Sequence, residues 1–326
     1  VLTRATPVKD DNMYGSFGVS AYSYTGSWSE SRTPDYFYNA TASKSGSGDY
    51  ALASTYYWPG ASYKMKFFAY APKDNGQYVL SGSTHPGSPT IGVTIPSDVN
   101  DQEDLLVAQT AELAGNTNTA VALTFNHALT AVRFVCGNDM QDGTVKSVSL
   151  KNVYSKGTYN MGTQTWSDVD TPADFSQTLD KSTTGTPNEA LTTDAQTFMM
   201  IPQTLPDGAQ IEVVFTDYAG TDHTLTADIK GTEWPIGKTV TYKISSSSIN
   251  WKYTIKINMP NEFTYTGGTL QYSVVLYKEN GLGEKQSVPW TAEFSEDDGV
   301  SWKNTPPDWV TGFTTAGPGG ETPQSY

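Results

Sequence analysis

The ten residues Tyr63-Lys64-Met65-Lys66-Phe67-Phe68-Ala69-Tyr70-Ala71-Pro72 decide the fold class. Tyr63, Met65, Phe67, Ala69 and Ala71 fall on one face of an extended chain, while Lys64 and Lys66 start the other. Period-two alternation of this kind predicts a strand with one covered face. The pattern recurs outward from there. Ile211, Val213 and Phe215 alternate with Glu212, Val214 and Thr216; Leu225, Ala227 and Ile229 alternate with Thr224, Thr226, Asp228 and Lys230; Val240, Tyr242 and Ile244 alternate with Thr239, Thr241 and Lys243. Further strand-sized apolar runs lie at 104–110 (DLLVAQT), 123–134 (LTFNHALTAVRF), 198–205 (FMMIPQTL) and 234–244 (WPIGKTVTYKI). Gly, Pro, Asn or Asp bounds each run, and no long helical pattern separates them. The expectation is an all-β chain of packed antiparallel sheets.

Composition narrows the class. The 326 residues predict two or three domains, since single cores stop growing near about 250–300 residues. Twelve per cent of the chain is aromatic and only 17% charged, which fits an exported β protein. The net charge of −14 disfavours a nucleic-acid partner, which needs a Lys/Arg surface, and equally disfavours anionic lipid. No stretch approaches the roughly 20 apolar residues needed to span a bilayer. Val1 is not an initiator Met and no signal peptide is visible, so the chain reads as processed or trimmed. The single cysteine, Cys136, shares a strand face with Val132 and Phe134 and reads as a core residue.

Three blocks are expected: 1–118, 119–248 and 249–326. The first carries strands near 14–24, 36–40, 50–57, 63–71, 77–80, 90–95 and 104–110. A polar connector at 114–118 (AGNTN) closes it. The second contains a long polar loop at 167–194 without periodicity and ends in a serine linker at 245–248. The third starts with strands at 251–257 and 270–276, joined through a Gly267-Gly268 turn. It has an acidic turn at 296–299 and finishes loop-like at 317–326. Its strand count falls short of the seven or so of a free sandwich, so it is either cut short or completed by something else.

Nothing selects catalytic chemistry. The histidines are His85, His127 and His223, and none has a second His or Cys at ligand spacing. His127 reads as a hydrogen-bonded structural residue, and His85 and His223 bring no visible partner. The acids Asp98, Asp101, Glu103 and Asp104 lack EF-hand spacing and read as a solvated loop. No Ser-His-Asp order, nucleophile elbow or phosphate-cradling loop appears. No catalytic residue, cofactor or metal is therefore assigned. Trp28, Trp166, Trp302 and Trp309 lie in loop-like surroundings. Each suits sugar stacking or, more simply, turn packing.

The ordered set at 57–72, 104–110, 123–134, 198–205 and 234–244 resembles the fimbrillin family, the type V pilins of Bacteroidales. The Trp58-Pro59 entry into 67–72 and the Phe125-Asn126-His127-Ala128-Leu129 run before Val132-Arg133-Phe134 carry most of the likeness. The resemblance covers about the first 245 residues. It implies two tandem transthyretin-like β-sandwiches on a lipoprotein precursor, exported to a fimbria at the cell surface and outer membrane. Membrane contact would then run only through that lipid anchor. It also implies Arg-specific N-terminal processing, for which Arg4 is the matching position, and polymerisation with other fimbrial subunits by donor-strand exchange. The third block looks like an Ig-like module of the BACON type, a class associated with mucin or carbohydrate attachment.

Two functions follow as expectations. One is a structural or adhesive fimbrial subunit at a tip or accessory position, with a host or microbial surface glycan or protein as further partner. The other is a surface lipoprotein that never polymerises and binds carbohydrate through exposed tryptophans, with Trp302 and Trp309 as the contact candidates. An enzyme is not expected.

Overall fold

The computed structural model describes residues 7–9, 13–46, 49–73, 75–247, 252–258, 271–297, 300–308 and 310–325. Arg4, Trp309 and the Gly267-Gly268 turn lie outside the described residues. The chain divides into two compact units, Val1–Ile244 and Ser245–Tyr326.

The first unit begins with nine strands: β1 (Ser16–Tyr24), β2 (Phe37–Lys44), β3 (Tyr50–Leu52), β4 (Lys64–Ala71), β5 (Tyr78–Leu80), β6 (Thr90–Thr94), β7 (Leu106–Gln109), β8 (Leu113–Ala114) and β9 (Asn126–His127). Nine more follow: β10 (Thr130–Cys136), β11 (Gly143–Asn160), β12 (Thr165–Thr183), β13 (Phe198–Met200), β14 (Gln203–Thr204), β15 (Gln210–Asp217), β16 (Asp222–Asp228), β17 (Glu233–Trp234) and β18 (Thr239–Ile244). The chain is all-β, as the alternation predicts.

A seven-stranded sheet runs β3-β2-β1-β4-β7-β9, with β8 on β4. Strand β4 sits at its centre, pairing antiparallel with β1 from Gly18↔Tyr70 to Tyr24↔Lys64. Its apolar face behaves as expected: Met65, Phe67, Ala69 and Ala71 are buried with Val19 and Ala21. The opposite face does not. Phe68 and Tyr70 are buried there too, so β4 is covered on both sides. The cover includes Trp28, whose ring lies 5.1 Å from Tyr22, 5.6 Å from Tyr24 and 6.0 Å from Phe68. Its Nε1 donates to Glu30 at 2.7 Å, which makes Trp28 a packing residue of the sheet. Filling both faces with rings contributes about 1.5–3 kcal/mol per buried side chain.

A second sheet, of six strands, runs β16-β15-β11-β6-β5, with β12 on β11. The long strand β11 pairs with β15 from Gly143↔Asp217 to Lys151↔Gln210, and with β6 from Lys156↔Thr94 to Asn160↔Thr90. Position 118/119 therefore falls inside one compact unit, whose second sheet takes β5 and β6 from before it and the other strands from after it. A bulge between Leu150 and Val153 separates the two ladders, and Asn152 takes φ 55° there, a left-handed turn that Asn tolerates.

One expectation fails here, and the antiparallel one has an exception. Much of the predicted polar loop at 167–194 is strand β12, hydrogen-bonded along β11 from Gly143↔Thr183 to Asn160↔Thr165. Its side chains are mostly exposed, so the ladder rather than an apolar stripe holds it, and periodicity has nothing to report. Nor are all pairings antiparallel. In the sheet β13-β10-β18, β10 runs parallel to β18 from Ala131↔Thr239 to Cys136↔Ile244. This β10 face is core as read: Val132, Phe134 and Cys136 are fully buried. Strands β14 and β17 form a two-stranded ribbon.

The second unit holds β19 (Lys252–Asn258), β20 (Ser273–Glu279), β21 (Lys285–Ser287), β22 (Trp290–Thr291), β23 (Ala316–Gly317) and β24 (Gly320–Ser325). Strand β20 pairs with β19, β21 and β24. The expected loop-like finish at 317–326 is thus partly strand. Its Gly and Pro content obscures the pattern, since Pro is tolerated on an edge strand. Tyr272 and Phe313 stack at 4.7 Å in this unit.

Candidate functional site

Alternation puts Phe17, Val19 and Ala21 of β1 on the same face as Phe67, Ala69 and Ala71 of β4, and Leu106 and Ala108 of β7. Five alanines (Ala21, Ala42, Ala69, Ala71, Ala108) belong to this buried cluster. Of these, Ala42 stands among the larger Phe17, Val19, Phe67 and Leu106 where the face opens. The result is a cavity of about 930 Å³, at the upper end of ordinary binding pockets. Phe17, Val19, Ala42, Phe67 and Leu106 form its floor, and Phe37, Tyr50 and Leu52 one wall. Tyr50 and Phe125 each pack on Phe17, at 5.0 and 5.1 Å between ring centroids.

The cover is unusual. Residues 120–125 alternate like a strand, with Val121, Leu123 and Phe125 half-buried against the cluster and Ala120, Ala122 and Thr124 exposed. Yet the segment belongs to no strand, and among the described residues no backbone hydrogen bond ties it to a neighbour. Where a complete sandwich has a second laddered layer, the described residues give this face a ribbon outside any ladder. The half-buried state of Phe37, Tyr50, Leu52, Val121, Leu123 and Phe125 means the groove opens to water.

Polar groups mark one end. Lys9, Lys44, Asp49 and His127 line it. Beside them, Asp104 is 2% exposed and departs from the solvated loop expected at 98–104, whereas Asp98 and Asp101 are exposed as expected. One oxygen of Asp104, Oδ2, accepts from the Val8 backbone N–H at 3.0 Å and lies 2.7 Å from His127 Nδ1. The Asp104 carbonyl accepts from the Tyr14 hydroxyl at 2.9 Å. Burial, then the negative charges of Asp104 and Glu103, push the Tyr14 phenol far up. Val8 itself is buried in the apolar cluster.

The hydrogen bond to Asp104 raises the His127 pKa above its ordinary 6.5, against a smaller opposing effect of burial. A histidine pKa raised by folding stabilises the fold fully below the unfolded value, and that stability fades as pH rises through the folded value. The urea midpoint of the first unit is therefore expected to fall from pH 6 upward, with a smaller fall in His127→Gln. Equal pH slopes in the two proteins would contradict this.

The remaining candidates sort plainly. His223, for which no partner was foreseen, is buried with Nε2 3.0 Å from Asp217 Oδ2 across the β15–β16 turn. Trp166 lies in β12, donates Nε1 to the Ala128 carbonyl at 3.0 Å and packs 5.4 Å from Tyr159. Trp302 is 60% exposed in the second unit. Asp297, in the acidic turn, has its carboxyl drawn down to about 2, chiefly by bonds from Ser301 and then Ser295. Among the described residues no three His, Cys, Asp or Glu side chains converge. The sequence did not single out the groove. Its one local signal is the Val121-Leu123-Phe125 alternation, of which only the end, from Leu123, falls in a strand-sized apolar run.

The sequence model of a family described as fimbrillin-like matches residues 3–266. A curated relative, fimbrium subunit Fim1C of Phocaeicola vulgatus, is 26% identical over 220 residues, 56% of this chain and 58% of the relative. The match thus spans less than two thirds of that protein. Among solved structures, a fimbrial protein from Bacteroides vulgatus superposes with a TM-score of 0.49 at 19% identity, covering 81% of this chain and 92% of the other. A fimbrial assembly protein from Parabacteroides distasonis gives a TM-score of 0.39 at 10% identity, covering 87% and 95%.

Proposed function

Because this chain belongs to the fimbrillin-like family, we propose that it is a structural or adhesive subunit of a cell-surface fimbria that accepts a partner's strand in the groove on its first sheet. The observation that carries the reading is the apolar cavity of about 930 Å³ on this sheet face, covered by a segment that makes no backbone hydrogen bond among the described residues. An extended apolar segment laid there would fill pockets with alternate side chains and hydrogen-bond through its backbone, the two gains of strand addition. The same open face would be a hazard in a free chain, so a dedicated occupant is the economical explanation.

Arg-specific processing at Arg4 completes the reading. The chain has three arginines, Arg4, Arg32 and Arg133. Two are tied into the fold. Arg32 donates to the carbonyls of Thr25 and Ser27 at 3.1 and 3.3 Å and lies 4.6 Å over the Tyr24 ring. Arg133 sits within β10 between two neighbours, and its guanidinium reaches Asp194 at 2.7 Å. A protease needs several residues in extended, accessible form, which neither site supplies. The second unit, with Trp302 on its surface, suits a tip or accessory place and contact with a glycan or protein. A lipid-anchored precursor at the outer membrane belongs to the same proposal.

The test is to treat the purified chain with an Arg-specific protease and follow mass and particle size. Loss of residues 1–4 followed by oligomer growth, or by short capped chains for a tip subunit, is the expected result. A cleaved chain that stays monomeric and binds glycan through Trp302 would replace this reading with the non-polymerising carbohydrate binder.

A further inference from the structure

The groove is not empty at its polar end, because the chain's own Val8 occupies it. Val8 is 5% exposed and belongs to the apolar cluster that forms the floor. Its N–H points to Asp104 Oδ2, an oxygen buried with the rest of that side chain and shared with His127 Nδ1. The next residue is held from the other side, with Lys9 Nζ 3.3 Å from Asp194. A buried carboxylate that loses one of its donors keeps its desolvation cost, so the bond resists opening more than an exposed one would. The partners are 96 residues apart in sequence, so this is a tertiary clasp and not a local turn.

We propose that Asp104, steadied by His127, fastens Val8 in the groove as a resident plug. N-terminal processing then leaves Val8 seated, and an incoming strand sets its register by ending against it. The proposal rests on the strand-accepting reading above and adds a boundary to it. Cleavage after Arg4 frees nothing downstream of that bond, and Val8 lies four residues beyond it. The groove is therefore shared: this chain supplies the side chain beside His127, and the partner supplies those over Ala42 and Leu52. Because the partner meets a fixed stop, a slip of one residue would turn its apolar side chains outward, which is how one anchored position can select register.

The experiment is hydrogen exchange at the Val8 amide in the full chain, before and after Arg-specific cleavage. Slow exchange that changes less than about threefold on cleavage supports the plug, since a charge-assisted buried bond does not depend on the departed residues. Exchange should quicken roughly tenfold or more in Asp104→Asn, and by a smaller factor in His127→Gln, because each weakens the charge-assisted bond. Release of the Val8 amide by cleavage alone would overturn the proposal, as would unchanged exchange in both variants. Should Asp104→Asn fail to fold, His127→Gln decides, since that side chain is 42% exposed and its loss is mild. Adding a synthetic apolar strand to the cleaved chain separates the two proposals. Failure of the strand to bind sinks the acceptor reading while the exchange rates still decide the plug. Binding that sets the Val8 amide free overturns the plug and leaves the acceptor intact.

Discussion

Replacing Ala42 by Phe is expected to abolish oligomer growth after Arg-specific cleavage while leaving the subunit folded. Ala42 lies on β2, pairs with Phe17 on one side and Leu52 on the other, and faces the cavity. A larger side chain usually costs about 1–3 kcal/mol because a filled core has no room for it. Here the room exists, about 930 Å³ of it, so the ring enters the space that a partner strand would need. Affinity for an added apolar strand should drop at least about a hundredfold, the equivalent of ~2.7 kcal/mol. The thermal midpoint should hold or rise. Growth at the parental rate would mean that the groove is not where the partner binds.

Phe134→Ala should have the largest effect on stability. Phe134 is fully buried in β10, with Phe198 and Tyr242 both 5.9 Å away between ring centroids. Removing such a ring costs about 3–5 kcal/mol, from lost burial plus the cavity left behind. Against a total of about 5–15 kcal/mol for a typical domain, that is about a fifth of the margin or more. Urea unfolding followed through Trp234, which is buried in the same unit and bonded to Tyr242 at 3.0 Å, would measure it. A loss below about 1 kcal/mol would show that β10 is not the central element its packing indicates.

Alternation found the strands because period two is a property of neighbouring residues. Strands β1, β4, β6, β7, β15, β16 and β18 all fall where alternating or continuous apolar runs stand in the chain. It missed β12 for the complementary reason: that strand is mostly exposed and owes its place to hydrogen bonds with β11, which leave no mark on residue type. It also gave Phe68 and Tyr70 no partner. Whether the second face of a strand is covered depends on what packs there, in this case Trp28 from a serine-rich loop. Asp104 looked like one acid among four, and only its burial singles it out.

By itself, then, the chain's order of residues determined an all-β protein, the faces of its main strands and its fimbrillin-like kinship. Those are local or compositional properties. Only the tertiary structure decided that the apolar face of the first sheet would hold an open cavity, and that Asp104 would meet Val8 and His127. Both depend on strand register and on contacts between residues far apart in the chain. No local pattern encodes which of several apolar faces will stand open.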